Sequence, residues 1–398
     1  MQIETSVRRW GRRSLTVLTV LWVFIVAVVV LGTVVPTIPL VGAIGTLITS
    51  FVTAHIVVAA LVGLLLSGAV IRLGGGRVAR GAAAVAALSA LGAVLPLVAI
   101  IRAADHYGAD LSWGDHWAVS APQSMKGADQ TVQFASVGDV TLSLDVYRPA
   151  AGVAGRSAPV VMMHGGGFTA GNKSDGRDWD RWLADRGYTV FDLEYRLAPQ
   201  PTWQVAAQDV ACAMSWIAAH AEEYSVDPSR LMSAGQSAGA SLAMQVAYGD
   251  GNGPISSSCG GEVPQVAAVL ALYPPDDLIL GWKLNPTIGP IQSKSLSETY
   301  TGGTPESVPE RYRAVSPNLQ VRPNVPPTFI AYGEHDHLVP PVGHAQLAAK
   351  LAQAGVTHSV VVVPYSDHAY DLLWGSLGAQ ITRHAAGEFL RKNMPARQ

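Results

Sequence analysis

Charge is missing from a long stretch of this chain. Between Ser14 and Ile71 there is no Asp, Glu, Lys or Arg. A run of that length does not suit a water-exposed segment, and it is enough for two helices to cross a bilayer, each needing ~20 apolar residues. Residues 14–35 and 47–71 are the two spans, parted by Pro36, Pro39, Gly42 and Gly45. Residues 81–101 form a third uncharged stretch, rich in Ala and carrying Pro96. Residues 1–103 are therefore expected to form a bundle of about three transmembrane helices.

Excess positive charge is also lacking. The chain has 27 Lys and Arg against 29 Asp and Glu, a net charge of -2. That balance excludes the basic footprint of a nucleic-acid binder, so the partners expected are a bilayer and a small molecule. The basic residues near the start are unevenly distributed. Arg8, Arg9, Arg12 and Arg13 precede the first span, Arg72, Arg77 and Arg80 follow the second, and the loop between those spans has none. The positive-inside rule puts both basic segments in the cytoplasm, and three crossings then leave the remainder outside it. A cleaved signal peptide is the rival reading of the first span, but no small-x-small site follows cleanly and a second span comes soon after.

Cysteine is scarce, with Cys212 and Cys259 alone. Outside the cytoplasm a disulfide between them is permitted and is the expectation; the alternative is two unrelated thiols. There is no H-E-x-x-H, no C-x-x-C and no G-x-G-x-x-G loop after a strand. Neither a metal nor an organic cofactor is expected.

Residues 104–129 contain Trp113, Trp117, Gly and Pro without a clear period, and read as a linker or the start of a cap. From residue 130 to the end the pattern is that of a globular domain. Residues 131–134 and 142–147 suggest an antiparallel pair turning at Gly138-Asp139. Apolar strands follow at 159–163 (PVVMM), 188–193 (YTVFDL), 230–234 (RLMSA), 266–272 (VAAVLAL), 328–332 (TFIAY) and 359–363 (SVVVV). Amphipathic helices are expected at 178–186, 203–222, 238–248, 342–354 and 378–392. Continuous apolar strands alternating with helices imply an α/β domain with a mostly parallel sheet covered on both faces. Residues 276–324 fit neither period and are expected to carry short helices and part of a substrate pocket.

Gly235-Gln236-Ser237-Ala238-Gly239 is a G-x-S-x-G pentapeptide between the strand RLMSA and an Ala-rich helix. A sharp strand-to-helix turn needs small neighbours and exposes the serine hydroxyl above the sheet. A hydroxyl is a poor nucleophile without a base, and His368, just past the last apolar strand, is the candidate. His335, His337, His344 and His358 are rivals; His358 precedes its strand, at the wrong end. Asp336, past the strand TFIAY, is the candidate to orient the imidazole, with Glu334 and Asp367 as rivals. After PVVMM comes His164-Gly165-Gly166-Gly167-Phe168, where bare amides could receive a developing oxyanion. Gly166, Gly167 and Ala238 are the expected donors. His164, Gly165, Phe168, Gln236 and Trp203 are candidates for the pocket wall.

HGGGF, EYRLAP at 194–199, GQSAG, GEHD and DHAY, in that order, resemble the α/β-hydrolase fold. Within it they are similar to the hormone-sensitive-lipase-like carboxylesterases and their acetyl-xylan and feruloyl esterase relatives. The resemblance spans about residues 130–395 and does not include the membrane region. It implies an eight-stranded sheet and a triad of Ser237, Asp336 and His368. It also implies an oxyanion hole of Gly166, Gly167 and Ala238, with Arg196 tying its loop to neighbouring carbonyls. Gln236, where many members have an acid, and Ala240, where many have Gly, depart from the pattern. The function expected is a membrane-anchored serine carboxylesterase for short- to medium-chain esters. A serine peptidase or amidase of the same fold, or a non-catalytic surface binding protein, is the alternative.

Overall fold

In the computed structural model of the chain, residues 2–119, 126–150, 155–197 and 201–396 are described. Part of the 104–129 linker and Ala198 and Pro199 of EYRLAP lie outside them. The chain divides into two units: residues 1–120 with 333–335 and 363–381, and residues 121–332, 336–362 and 382–398.

The first unit contains α1 (Gln2–Val34), α2 (Val41–Arg72), α3 (Gly76–Tyr107) and the short α4 (Trp113–Ala118). The first three extend beyond their uncharged windows, because a helical hydrogen-bond ladder continues through flanking arginines as readily as through leucines. All three are long and apolar enough to cross a membrane. Phe24, Leu65, Leu88 and Leu91 point outward, each 64–73% exposed, while Ala60, Ala86 and Ala93 are buried. Large apolar residues outside and small ones inside suit a lipid solvent. Gly32 and Gly45 let α1 and α2 meet backbone to backbone. A Cβ at Gly32 would stand 1.9 Å from the Val41 carbonyl oxygen, and one at Gly45 2.4 Å from the Thr33 nitrogen.

Helix α2 is interrupted at Val52 (φ -131°, ψ 40°). The Ala54 N–H there donates to His116 Nε2 at 3.2 Å, a side-chain partner for a backbone group released by the break. His116 lies on α4, in the stretch expected to be a linker. Ser112 caps α4 by accepting the Asp115 N–H. Gln380 ties Ser112 from both sides, accepting its N–H and donating to its carbonyl.

The second unit is built on strands β1 (Gln130–Val137), β2 (Val140–Tyr147), β3 (Pro159–Met163), β4 (Thr189–Leu193), β5 (Met232–Gln236) and β6 (Ala268–Leu272). A small hairpin of β7 (Thr287–Ile288) and β8 (Ile291–Gln292) stands apart from β9 (Thr328–Gly333) and β10 (His358–Val363). The eight-stranded sheet runs β1-β2-β4-β3-β5-β6-β9-β10. Its first two pairings are antiparallel, and those from β4 to β9 are parallel. β3, β4 and β6 are buried along their whole length, which explains their unbroken apolar sequence.

Crossover helices α5 (Arg177–Ala184), α6 (Val205–Ala219) and α7 (Ala238–Tyr248) link the central strands. α8 (Leu278–Leu284), α9 (Ser293–Thr301) and α10 (Pro309–Ala314) occupy the aperiodic stretch before β9. α11 (Pro341–Gln353) joins β9 to β10, and α12 (Leu377–Asn393) ends the chain. Phe191, Met162, Met163 and Phe329 fill the centre of the core. Cys212 on α6 is bonded to Cys259, with Cα atoms 5.4 Å apart.

Candidate active site

The turn between β5 and α7 is made by one residue. Ser237 adopts φ 52°, ψ -121°, a backbone state that a side chain rarely takes and that functional sites retain when the surroundings enforce it. The flanking glycines supply the enforcement. A Cβ at Gly235 would lie 2.5 Å from the Gly239 carbonyl, and one at Gly239 would lie 2.2 Å from the Met163 oxygen. Only bare backbone allows β3, β5 and α7 to approach this closely, and the approach lifts Ser237 to the C-terminal end of the sheet.

The loop after β3 reaches the same point. Gly165 is held so that a Cβ there would be 3.3 Å from the Ser237 Cβ. Gly166 (φ 111°) and Gly167 (φ 61°) take left-handed backbone states, which turn their amides out of any strand ladder. Among the described residues, the N–H groups of Gly166, Gly167 and Ala238 donate to no protein acceptor. For Ala238 the reason is its place in the first turn of α7, where amides lack an intrahelical partner.

Gly167, Phe168 and Ser237 line a small cavity of about 40 Å³, walled by Leu278, Leu296 and Val339. Phe168 is stacked on Tyr300 at 3.8 Å between ring centroids. Three of the sequence-derived wall candidates do other work. Trp203 lines a separate cavity with Gln204 and Gln245. His164 stacks on Tyr195 at 4.4 Å, and its carbonyl accepts the Tyr195 hydroxyl at 2.9 Å. Burial pulls the His164 imidazole below its ordinary pKa. The Gln236 amide oxygen lies over Gly176, where a Cβ would be 2.9 Å away. Leu278 and Leu296 fall in residues 276–324, the stretch expected to carry part of the pocket, although its lack of a period singled out no residue there; Val339 lies beyond it.

Asp336 follows β9 and is 5% exposed. One of its oxygens accepts the N–H groups of Leu338 and Val339 at 2.8 and 2.7 Å. Two amides on one oxygen fix the orientation of the carboxyl.

His368 lies in the first unit, five residues past β10 and 7% exposed. Its loop is bonded to the end of β9, where the His335 N–H donates to the Ser366 carbonyl at 2.9 Å. Gly333 is packed so tightly under that loop that a Cβ would be 2.4 Å from the Ser366 oxygen. Asp367 is committed elsewhere. Its Oδ1 accepts the His368 N–H at 2.7 Å and its Oδ2 accepts the Thr46 hydroxyl at 2.6 Å.

The rival imidazoles have their own partners. His358 opens β10 with Nδ1 2.8 Å from the Val356 oxygen. His344 is fully enclosed beside Asp276, Nδ1 to Oδ2 3.1 Å. His335 stands 3.7 Å from the Glu334 carboxylate.

Arg196 grips a carboxylate and not carbonyls. Its Nε and Nη2 donate to the two oxygens of Asp209 on α6, at 2.7 and 2.6 Å. Asp209 is wholly buried and also accepts the Ser258 hydroxyl at 2.8 Å. A planar guanidinium suits that paired geometry, which explains an arginine here better than a lysine.

A mostly parallel eight-stranded sheet, with a strained serine where its central strand meets a helix, defines an α/β-hydrolase. The BD-FAE family model matches residues 144–351, and the chain belongs to that family. It is similar to the probable carboxylic ester hydrolase LipM of Mycobacterium tuberculosis, 28% identical over 250 residues, covering 62% of this chain and 57% of that protein. Esterase LipQ of the same organism is 26% identical over 251 residues, covering 62% and 58%. The chain thus spans somewhat over half the length of these relatives. Among solved structures it resembles the apo form of Thermogutta terrifontis esterase 2, with a TM-score of 0.56, 25% identity, and coverage of 70% of this chain and 98% of that one. The resemblance carried by HGGGF, GQSAG, GEHD and DHAY therefore holds at the level of fold and family.

Proposed function

We propose that the protein is a membrane-anchored serine carboxylesterase acting on short- to medium-chain esters. The observation that carries this reading is the strained Ser237 at the mouth of an apolar cavity, beside three unengaged backbone amides. His368 takes the Ser237 proton as the hydroxyl attacks the ester carbonyl. The Gly166, Gly167 and Ala238 amides receive the oxyanion. The alcohol leaves with the proton held by His368, and water releases the acyl group by the same steps. Asp336 holds the imidazole in the tautomer that can accept that proton.

The relatives support the ester class. LipM bears the name of a probable carboxylic ester hydrolase and LipQ that of an esterase. Thermogutta terrifontis esterase 2 has been solved with propionate and with butyrate bound, and the cavity walls of Leu278, Leu296 and Val339 suit acyl chains of that kind. The test is hydrolysis of p-nitrophenyl esters from acetate to decanoate by the full chain in detergent, beside a peptide anilide panel. Ester turnover that is lost in Ser237→Ala supports the reading. Turnover of anilides alone, or equal rates in both proteins, would reject it.

The three apolar helices support insertion in a membrane, with the hydrolase outside the cytoplasm. Arg72 ends α2 and Arg77 and Arg80 open α3, whereas the His368 loop is bonded to Thr46 and Ser50 near the N-terminal end of α2. The part of α2 after Val52 reaches roughly 30 Å at ~1.5 Å per residue, enough for the hydrocarbon core. The Cys212–Cys259 disulfide fits an oxidising compartment. Protease treatment of intact cells tests the sidedness; protection of the hydrolase until lysis would reverse it.

A further inference from the structure

Helix α2 is mainly apolar but carries a cluster of hydroxyl residues near its start. Thr46, Thr49, Ser50 and Thr53 are each 0–3% exposed. Polar groups inside a membrane-type helix bundle are retained for a reason, since each must find a partner away from water. Thr49 pairs with Thr33 of α1 at 2.7 Å, and Thr53 bonds back to the Thr49 carbonyl. Both serve the helices.

Thr46 and Ser50 serve something else. Four residues apart, they share a helix face, and both meet Asp367. The Thr46 hydroxyl is 2.6 Å from Asp367 Oδ2 and 2.9 Å from its own i-4 carbonyl at Gly42. The single hydroxyl proton goes to the shorter bond, the one to Asp367. The Ser50 hydroxyl donates to the Thr46 carbonyl at 2.7 Å and accepts the Asp367 N–H at 2.8 Å. The other oxygen of Asp367 takes the His368 N–H. A continuous set of bonds thus runs from α2 through one buried carboxyl to the backbone of the proposed base. On its far side the loop rests on Gly333 and on the His335 amide.

We infer that Thr46 and Ser50 are positioning residues for His368, so that the N-terminal part of α2 is a component of the catalytic apparatus as well as of the anchor. The inference rests on His368 being the base of the proposed esterase. Without the Thr46 hydroxyl, Asp367 turns away, the His368 backbone loses its acceptor, and the imidazole samples unproductive orientations. Misplacement of a catalytic group by about an ångström costs on the order of 10²-fold in rate.

The experiment compares Thr46→Val, Thr46→Ser, Thr49→Val and Ser237→Ala, each as the full chain in detergent, with p-nitrophenyl acetate turnover and thermal unfolding measured. Thr49→Val is the control, an equally buried hydroxyl on the same helix that bonds only within the bundle. In Thr46→Val, kcat is expected to fall roughly ten- to a hundredfold with KM nearly unchanged. Thr46→Ser is expected to recover most of the rate, and Thr49→Val to keep it. Wild-type kcat in Thr46→Val, or an equal loss in Thr46→Val and Thr49→Val, would overturn the inference while leaving the esterase reading intact. A Ser237→Ala enzyme as active as wild type would instead defeat the esterase reading, and this inference with it.

Discussion

Gly239, in the first turn of α7, lies directly against the last residue of β3: a Cβ at 239 would stand 2.2 Å from the Met163 carbonyl oxygen. The same Cβ would be 2.5 Å from the His164 oxygen. One bare Cα therefore couples the turn that bears Ser237 to the loop that bears Gly166 and Gly167. Adding a methyl group must push one away from the other. Gly239→Ala is expected to lose at least about 10²-fold in kcat/KM, because nucleophile and amides separate by roughly an ångström. Steady-state kinetics with p-nitrophenyl acetate, read beside the melting temperature, checks this. A fully active Gly239→Ala would contradict the packing described.

Leu296 forms part of the cavity wall next to Gly167, where its side chain would be 2.8 Å from an added Cβ. Leu296→Ala enlarges the space that receives the acyl chain. The preferred p-nitrophenyl ester is expected to move to a longer chain, with acetate turnover falling by about ten- to a hundredfold, since one methylene in an apolar pocket discriminates by ~1–3 kcal/mol. An unchanged chain-length profile would mean that the acyl group lies elsewhere.

Asp180 on α5 is wholly buried, and its oxygens have no donor among the described residues. It can be hydrogen bonded only by keeping its own proton and sharing it with Asp192. Burial, and then the neighbouring Asp192, hold the Asp180 carboxyl well above the ordinary range. Asp192 is also raised by burial, to about 7, although it accepts the Ser174 N–H at 2.6 Å. Groups with raised folded-state pKa values bind protons more tightly when folded. Their stabilising contribution is complete below the unfolded value near 4 and is lost as pH rises through about 7. The melting temperature is expected to fall between pH 5 and pH 8, and Asp180→Asn to flatten that slope. Equal slopes in the two proteins would exclude the pair as its source.

The Cys212–Cys259 bond closes a loop across a sequence separation of 47. Closing a loop of this size restricts the unfolded chain by about 2–4 kcal/mol. Reduction, or Cys212→Ala with Cys259→Ala, is expected to lower the melting temperature by several degrees while esterase activity at 25 °C persists, because neither residue lines the cavity with Ser237. Loss of activity without loss of stability would point to a different role for the bond.

β3, β4, β6 and β9 were readable because each is buried along its length and so appears as an apolar run. The elbow was readable because close packing leaves glycine as the only residue tolerated at 235 and 239. Helix ends were less so: α3 continues to Tyr107, past its last uncharged residue, since charge does not interrupt a helix. The short α4 was hidden in an aperiodic stretch, although Ser112 three residues before Asp115 is a capping pattern that marks a helix start. Thr46 and Ser50 escaped notice because hydroxyls carry no charge and can bond to their own helix, so hydropathy reads them as part of a span. Their i,i+4 spacing was the available sign. The Asp209 partner of Arg196 lies on a different element, 13 residues on, and local sequence does not specify such a pairing.

The most direct test of the assignment is covalent labelling of the full-length protein with a fluorophosphonate, followed by peptide mass spectrometry. Ser237 is expected to carry the adduct, and His368→Ala to slow its formation by orders of magnitude. An adduct on another serine, or labelling of Ser237 at an undiminished rate in His368→Ala, would contradict the catalytic roles given to both residues.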